Sequence, residues 1–299
     1  MLNEYQTLYL DNVELITDNI GKTKSVSYDF CPLYMICKLG LDKKYYLEKT
    51  KYFLILRNTK TINVALLPLI DDATVIYFEM LNILHTNKII AMPYRFAKPL
   101  MGNEIYTVRN RLWGNIDFVF QTKQIIEKHG KKLSRVRNYA NRYEKDQNYE
   151  VIDLLDERRY LPKVKNVLDK WNTLKGREAS RTSFVPYIIS ILDELTDIPR
   201  LNFISMLDKT TGELGAVSMA TLFSTTHWVN TFRYSDHVLN NATDYLFGEM
   251  AKRYLDIPFE IDGAAGGRET DLAKVKQKYI TDNVLNEQIY CFDIGRKGK

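Results

Sequence analysis

The order of strands and helices in the second half of the chain constrains its fold more than any other feature of the sequence. Apolar stretches separated by polar turns predict strands, and apolar residues spaced three to four apart predict helices. The predicted order begins with a hairpin of residues 202–207 and 214–223, whose turn lies at 208–213. A strand at 227–234, a helix at 245–254 and a strand at 259–262 follow. The last two elements are a helix through Leu272, Val275 and Tyr279 and a strand at 288–294. This alternation predicts a mixed β-sheet with helices on its faces.

The first half of the chain also contains predicted strands and helices. Residues 51–57 and 61–69 predict two strands that are joined by a turn at residues 58–60. Residues 117–120 fit either a short strand or the start of a helix. Helices are predicted at residues 78–84 and through Ile125 and Ile126 as far as Gly130. The second half begins with two further predicted helices, at 154–171 and 185–195. A chain of 299 residues can form one large domain or two of ordinary size, and its strands and helices predict an α/β (α+β) protein.

Composition places the chain among globular proteins, since 45% of its residues are apolar and 26% are charged. No apolar run approaches the roughly 20 residues that span a bilayer, and the first residues lack a signal-peptide pattern. Contact with a membrane surface is still compatible with this composition. The three cysteines, Cys31, Cys37 and Cys291, have no zinc-like spacing and suit a reducing compartment. We therefore expect a cytoplasmic protein with buried thiols and no bound metal.

A basic stretch lies between Lys123 and Lys145, where eight lysines and arginines face only two glutamates. From Lys131 onward the stretch has helical periodicity. One stripe is apolar (Leu133, Val136, Ala140 and Tyr143), and another is polar and basic (Arg135, Asn138, Arg142 and Lys145). The sequence leaves two interpretations of the basic side open: a solvated surface, or a face that contacts the phosphates of a polyanion.

Three passages of the sequence resemble one protein family. The first joins residues 117–120 to residues 130–138, the second is the hairpin at residues 203–223, and the third runs from Asp262-Gly263-Ala264 to Lys276 and Tyr279. Together they resemble the GNAT acyltransferase fold. They are most similar to the tandem-GNAT branch, which holds the Fem-type aminoacyl-tRNA-dependent transferases and the C-terminal domain of phosphatidylglycerol lysyltransferases. The resemblance implies two GNAT-like domains in tandem, at residues 1–150 and 151–299, each a mixed sheet flanked by helices.

The chain departs from the family at two places. GNAT proteins that bind coenzyme A usually have a glycine-containing loop before their third helix, whereas residues 238–243 contain no glycine. Val275 stands where an aromatic residue would be usual. Fem-type enzymes also lack the loop and take their acyl group from charged tRNA. The resemblance therefore implies a co-substrate, aminoacyl-tRNA or acyl-CoA, rather than a permanently bound cofactor.

Candidate site residues follow from the resemblance together with the predicted elements. The catalytic candidates are Asp262, Lys276 and Arg233, and the candidates for binding donor phosphates are Lys132, Arg135, Arg137, Asn138, Arg142 and Asn241. Lys276 lies on the side of its helix that faces the sheet, so it either extends outward along its stem or pairs inward with Asp262. Such a pair could orient an acceptor amine, or it could be a structural ion pair. Residues 240–244 could cap the next helix or bind an anion.

These features predict an acyl- or aminoacyl-transferase in which the acceptor attacks the donor carbonyl directly. No covalent enzyme intermediate is required, which agrees with the lack of a Ser/His/Asp or Cys/His pattern in the sequence. Two alternatives stay open: a nucleic-acid-binding module that keeps the fold without the chemistry, and an inactive scaffold. The sequence does not identify the acceptor.

Overall fold

A computed structural model gives the structure of most of the chain. It describes residues 31–40, 45–92, 94–101, 104–110, 116–174, 182, 184–195, 198, 200–236, 239, 241–262, 276, 278–279, 289–290 and 292–296. Within these ranges, no helix has the length and apolar character needed to cross a membrane.

The chain forms two compact units. Unit 1 takes the described residues within Met1–Val119, Ile261–Gln277 and Leu285–Lys299, and unit 2 takes those within Phe120–Glu260 and Lys278–Val284. This division differs from the predicted boundary at residue 150. The basic stretch and its neighbours belong to unit 2, and the last strand of the chain returns to the first sheet.

Unit 1 contains a six-stranded mixed sheet. Its elements are α1 (Pro32–Gly40), β1 (Tyr45–Lys49), β2 (Phe53–Asn58), β3 (Asn63–Pro68), α2 (Ala73–Leu84), β4 (Lys88–Ala91), α3 (Tyr94–Ala97) followed by a 3-10 turn (Lys98–Leu100), and β5 (Tyr106–Asn110). With β13 (Phe292–Arg296), the strand order is β1-β2-β3-β4-β13-β5. Strands β2 and β3 pair antiparallel as the sequence predicts, while β3 and β4 pair parallel across α2.

The core of unit 1 lies between its sheet and α2. Ile55 and Leu66 from the sheet and Ile76 and Met80 from α2 are at most 1% exposed and belong to one apolar cluster. Helix α2 starts five residues before the predicted position because the Asp72 carboxylate accepts hydrogen bonds from the first backbone N–H groups of the helix.

Unit 2 contains most of a seven-stranded mixed sheet. After β6 (Ile116–Gln121), the elements are α4 (Thr122–Glu127), a 3-10 turn (Lys131–Leu133), α5 (Ser134–Lys145), β7 (Tyr149–Asp153), a 3-10 segment (Arg158–Lys163), α6 (Val164–Leu174), α7 (Phe184–Ser190), a second 3-10 segment (Leu192–Leu195), β8 (Asn202–Asp208), β9 (Leu214–Leu222), β10 (His227–Ser235), α8 (Ala242–Arg253) and β11 (Phe259–Asp262). With β12 (Ile289–Tyr290), the strand order is β12-β6-β11-β10-β9-β8-β7.

The two faces of this sheet carry different helices. Trp228 on β10 stacks against Tyr254 next to α8 with ring centroids 4.8 Å apart, and its indole N–H donates to Thr122 at 2.9 Å. On the other face, Phe232 contacts Phe184 of α7. The face toward α8 is called the α8 face below, and the face toward α6 and α7 is called the opposite face.

Several predicted elements are confirmed, and others differ for identifiable reasons. The α/β class, the hairpin β8–β9, β10 and the basic helix α5 all form as predicted, and Val136, Ala140 and Tyr143 of the apolar stripe are buried. Residues 154–157 are not helical, and the segment up to Lys163 is 3-10 around Pro162. The predicted strand at 288–294 is two strands, β12 and β13, in different sheets.

Candidate active site

A β-bulge interrupts strand β10 in the middle of the second sheet. Up to Asn230, each residue of β10 lies opposite one residue of β9, with Asn230 opposite Ala220. The next pair is Phe232 opposite Met219, so Thr231 is an extra residue in β10. A bulge of this kind reverses the side-chain alternation of the strand beyond it.

This reversal places Arg233 on the α8 face. Its guanidinium carbon lies 3.8 Å from the centre of the Phe247 ring on α8. Phe232 faces the other way and contacts Phe184 and Phe203, with ring centroids 5.7 and 5.9 Å apart. Arg233 therefore lies on the face opposite Phe232, as the sequence predicts, and its neighbour across the sheet is Ser218.

Three buried polar side chains surround the bulge on the same sheet. The Asn230 amide forms three hydrogen bonds. Its Nδ2 donates to the Phe232 carbonyl at 2.8 Å and to the Met219 carbonyl at 3.3 Å, and its Oδ1 accepts from the Ser218 hydroxyl at 3.0 Å. The backbone N–H of Asn230 donates to Oε1 of Glu260 on β11 at 3.4 Å. Glu260 and Ser218 are fully buried and Asn230 is 4% exposed. Sequence reasoning did not identify these three residues.

A second polar group connects α8 to the residues near position 279. Asp244 on α8 accepts a hydrogen bond from the Tyr279 hydroxyl at 2.8 Å and forms an ion pair with Lys278 at 2.7 Å. The Tyr279 ring packs against Phe120 and Phe247. The Asp244 carboxylate thus binds Tyr279 and Lys278 and does not cap its own helix.

The predicted catalytic pair lies in unit 1 and is only partly described. Lys276 is 5% exposed, and its ammonium lies 6.0 Å from the centre of the Phe118 ring. The lysine is therefore held inward rather than extended into solvent. Asp262 is the last residue of β11, but its side chain lies outside the described part of the structure. The pairing of Asp262 with Lys276 stays a prediction.

The predicted phosphate-binding residues of the basic helix fall into two groups. Four side chains are exposed: Lys132, Arg135, Asn138 and Arg142. Arg137 instead donates from Nη1 to the backbone carbonyls of Lys128 and Gly130, with 2.8 Å to the latter. It therefore joins α5 to the end of α4, whereas the exposed residues are available to a polyanion.

Asn241 precedes α8 in a left-handed conformation, with φ at 57°. Its side chain does not cap the helix, so the predicted capping is not seen at this residue. Its Nδ2 atom is buried and has no hydrogen-bond partner among the described residues. A role for Asn241 in binding phosphate stays a prediction.

Burial shifts the pKa values of several groups in unit 2. Desolvation, followed by the nearby charge of Lys252, lowers the pKa of Lys128, whose ammonium donates to the Ile126 carbonyl at 3.1 Å. That ammonium lies beside Gly248 of α8, where an added Cβ atom would be 2.7 Å away. Desolvation also lowers the pKa of His227 to about 4.

Among the described residues, no group of three or more His, Cys, Asp or Glu side chains is arranged to hold a metal ion. The polar groups described above are the Asn230 amide, the Ser218 hydroxyl, the buried Glu260 carboxylate, the Arg233 guanidinium and the Lys276 ammonium. These side chains can orient a carbonyl, stabilise negative charge and accept a proton.

Comparison with known proteins reveals similarity at the level of structure. No family profile matches the chain, and no curated protein sequence matches it. A conserved protein of unknown function from Bacteroides thetaiotaomicron VPI-5482 superposes with a TM-score of 0.73 at 15% identity, over 96% of this chain and 97% of that one. L-PGS from Bacillus licheniformis gives a TM-score of 0.62 at 14% identity, over 97% and 92% of the two chains.

FemX is a third similar structure, with a TM-score of 0.56 at 7% identity over 95% of this chain and 93% of its own. All three likenesses extend over nearly the whole of both chains, so they concern the complete arrangement of elements rather than one half. At these identities they establish the fold. The chain therefore shares its fold with L-PGS and FemX, in agreement with the resemblance found in the sequence.

Proposed function

We propose that this protein transfers an acyl or aminoacyl group from an activated donor to an amine or hydroxyl acceptor. The observation that carries the proposal is the polar cluster at the β10 bulge, where Asn230 and Glu260 are buried beside the strand position of Arg233. The likeness in fold to L-PGS and FemX supports a transferase of this kind.

Direct attack on the donor carbonyl requires few catalytic groups. The acceptor lone pair forms a bond to the carbonyl carbon while the carbonyl electron pair moves to oxygen. The leaving group then departs as the carbonyl reforms, and the acceptor proton passes to a nearby base. A bulge takes backbone groups out of the regular ladder, so it can offer an N–H donor to the developing oxyanion. Arg233 adds positive charge on the α8 face.

Asp262 and Lys276 are assigned to the acceptor end of the reaction. The inward position of Lys276 supports this assignment, because a lysine that is 5% exposed has given up most of its hydration. A protein tolerates that cost where the ammonium orients a substrate or pairs with a carboxylate. In the proposed reaction it orients the acceptor amine or stabilises the tetrahedral oxyanion.

The donor is bound through its phosphates by the exposed side of α5. Lys132, just before α5, and Arg135, Asn138 and Arg142 on it are exposed. Asn241 and Arg137 belong to the predicted set, although the Arg137 guanidinium already donates to the Lys128 and Gly130 carbonyls. Aminoacyl-tRNA and acyl-CoA both carry phosphates and both occur in the cytoplasm, where we place the protein. The lack of a glycine loop at residues 238–243 favours aminoacyl-tRNA. A lipid headgroup acceptor would require contact with a membrane surface.

The proposal is tested by supplying the purified protein with each donor in turn. Labelled aminoacyl-tRNA and labelled acyl-CoA are incubated with small amines, peptides and phosphatidylglycerol vesicles, and transfer of the label is measured. We expect transfer from one donor to one acceptor class, at a rate above that without protein. If neither donor yields product with any acceptor, and neither raises the melting temperature, the proposal is wrong.

Lys276→Ala then tests the residue assignment. We expect transfer to fall by at least about 100-fold, because removing one stabilising group at a developing charge typically costs this much. Binding of tRNA should be unchanged within about twofold, since the lysine is buried away from solvent. Lys60→Ala, at an exposed position in the turn between β2 and β3 and outside the basic stretch, is the control. Normal turnover in Lys276→Ala would refute the assignment.

A second candidate function is RNA binding without catalysis, and the exposed basic side of α5 favours it. This alternative predicts salt-sensitive RNA binding by a protein that transfers nothing. Arg135→Ala and Arg142→Ala should then each lower the slope of log affinity against log salt by about one. Under the transferase proposal, the same changes weaken the donor interaction and leave the maximal rate at saturating donor unchanged.

A further inference from the structure

The β10 bulge decides on which face of the second sheet Arg233 lies. Arg233 is five positions after Trp228, so in an uninterrupted strand the two side chains would be on opposite faces. The extra residue at Thr231 reverses the alternation, and both side chains contact Phe247 of α8. Whatever fixes the bulge therefore also fixes the position of the Arg233 guanidinium.

The Asn230 amide connects the two strands at this point. Its Nδ2 reaches the carbonyls of Phe232 and Met219, which are opposite each other immediately after the bulge. Its own orientation is held by the Ser218 hydroxyl on Oδ1 and by the Glu260 carboxylate on its backbone N–H. An asparagine in the middle of a strand is otherwise unfavourable. Its hydrogen bonds explain why this position is polar.

We propose that Asn230 is a positioning residue, whose amide clamps the bulge and thereby holds Arg233 on the α8 face. Removing the bulge would shift β10 by one residue against β9 and move Arg233 to the opposite face. Both Nδ2 bonds would break in that shift, so the amide opposes it directly. The inference rests on the proposed function, because it gives Arg233 a task at the donor carbonyl.

Asn230→Asp tests the clamp with the smallest change of shape. The aspartate replaces two N–H donors with an oxygen that faces two carbonyl oxygens. Asn202→Asp is a matched control, because Asn202 is also opposite Ala220 and therefore lies on the same face. Its Nδ2 also donates two bonds, to the Arg200 carbonyl and the Tyr254 hydroxyl. The two variants differ in whether the amide spans the bulge. They also differ in surroundings, because Asn230 is 4% exposed, whereas Asn202 is only partly buried and its Oδ1 accepts a hydrogen bond from Arg253 at 3.2 Å.

The first measurement does not depend on activity. Hydrogen exchange is followed for peptides that cover residues 227–235 in the full-length wild type and both variants. We expect exchange in this segment to accelerate by on the order of tenfold in Asn230→Asp, because the bulge loses the bonds that close it. Asn202→Asp should leave the segment within about twofold of the wild type. Equal exchange rates for this segment in the two variants would contradict the proposal that Asn230 holds the bulge in place.

The second measurement links the clamp to Arg233 through a double-mutant cycle on kcat/KM. We expect Asn230→Asp alone to lower kcat/KM by on the order of tenfold to 100-fold, and to add little once Arg233 is alanine. Fully additive losses would show that Asn230 does not act through Arg233. If the wild type transfers nothing from either donor, the proposed function fails, and the exchange measurement alone decides whether the clamp exists.

Discussion

The two sheets of this protein differ in what they bury. In the first sheet, the buried strand residues whose side chains are described are apolar, as at Ile55, Val64 and Leu66. In the second sheet, seven described strand residues are both polar and buried: Ser205, Ser218, Thr221, Asn230, Thr231, Ser235 and Glu260. Both sheets mix parallel and antiparallel strands and have similar numbers of strands. Architecture alone therefore does not explain why only the second sheet buries these polar residues.

The comparison indicates where the protein keeps buried hydrogen-bonding groups at a cost in stability. A buried polar group costs free energy unless its hydrogen bonds are made, and an apolar side chain of similar volume avoids that cost. The first sheet therefore has the composition of a sheet that serves stability. The second sheet keeps polar groups at a bulge, where they fix strand register and the position of Arg233.

The largest expected effect is in the first sheet. Leu66 on β3 is fully buried, and Leu66→Asn would leave an amide among apolar side chains in place of a well-packed leucine. We expect the free energy of unfolding to fall by about 4 kcal/mol. Urea denaturation measures this, with Ile62→Asn at a 60% exposed position as the control. A cost below about 1 kcal/mol would mean that the first sheet also accepts polar groups, and the comparison would fail.

A smaller effect concerns pH and belongs to the second sheet. Burial lowers the pKa of His227 from 6.5 to about 4, so the folded state binds its proton less readily than the unfolded state does. The stability contributed by neutral His227 is present above pH 6.5 and is lost as the pH falls toward 4. The loss should reach about 3 kcal/mol, because one pKa unit corresponds to about 1.4 kcal/mol.

Unfolding at pH 7 and at pH 4.5 measures this dependence, and His227→Gln is the variant that lacks the titrating group. We expect the difference in unfolding free energy between the two pH values to be smaller in the variant. Identical pH dependence in both proteins would show that other groups control acid stability.

The smallest effect separates stability from function within the second sheet. Ser218 and Ser205 are both fully buried, and each donates one hydrogen bond, to Asn230 and to the Ala216 carbonyl respectively. Alanine at either position should cost about 1 kcal/mol of stability. Only Ser218→Ala should also slow transfer, because only this hydroxyl orients the clamp. If both variants transfer the acyl group at a similar rate, the Asn230 clamp does not affect the reaction.

The fold was predictable where a local pattern determines it. The hairpin β8–β9 has two apolar runs around a polar turn, and α5 has an apolar stripe that remains buried in the structure. The separation of β12 and β13 into two sheets was not predictable. It depends on which distant strand offers a partner, and only one residue lies between the two strands.

The candidate site was predictable in part. The position of Arg233 followed from strand alternation relative to Phe232, although the bulge that places both residues left no clear mark in the sequence. The sequence offered no distinctive signal for Asn230 or Glu260, since both β10 and β11 contain several polar residues. Their importance depends on contacts between β9, β10 and β11, which no single segment specifies.

The close approach of Lys128 to Gly248 has a chemical consequence under the proposed function, in which the protein binds an activated carbonyl group. A lysine with a lowered pKa is more often a neutral amine, and a neutral amine is the form that attacks an acyl donor. Only 6% of Lys128 is exposed, and its nitrogen lies against the helix backbone where Gly248 lacks a side chain. The surrounding helix backbone therefore shields this nitrogen from an approaching acyl donor.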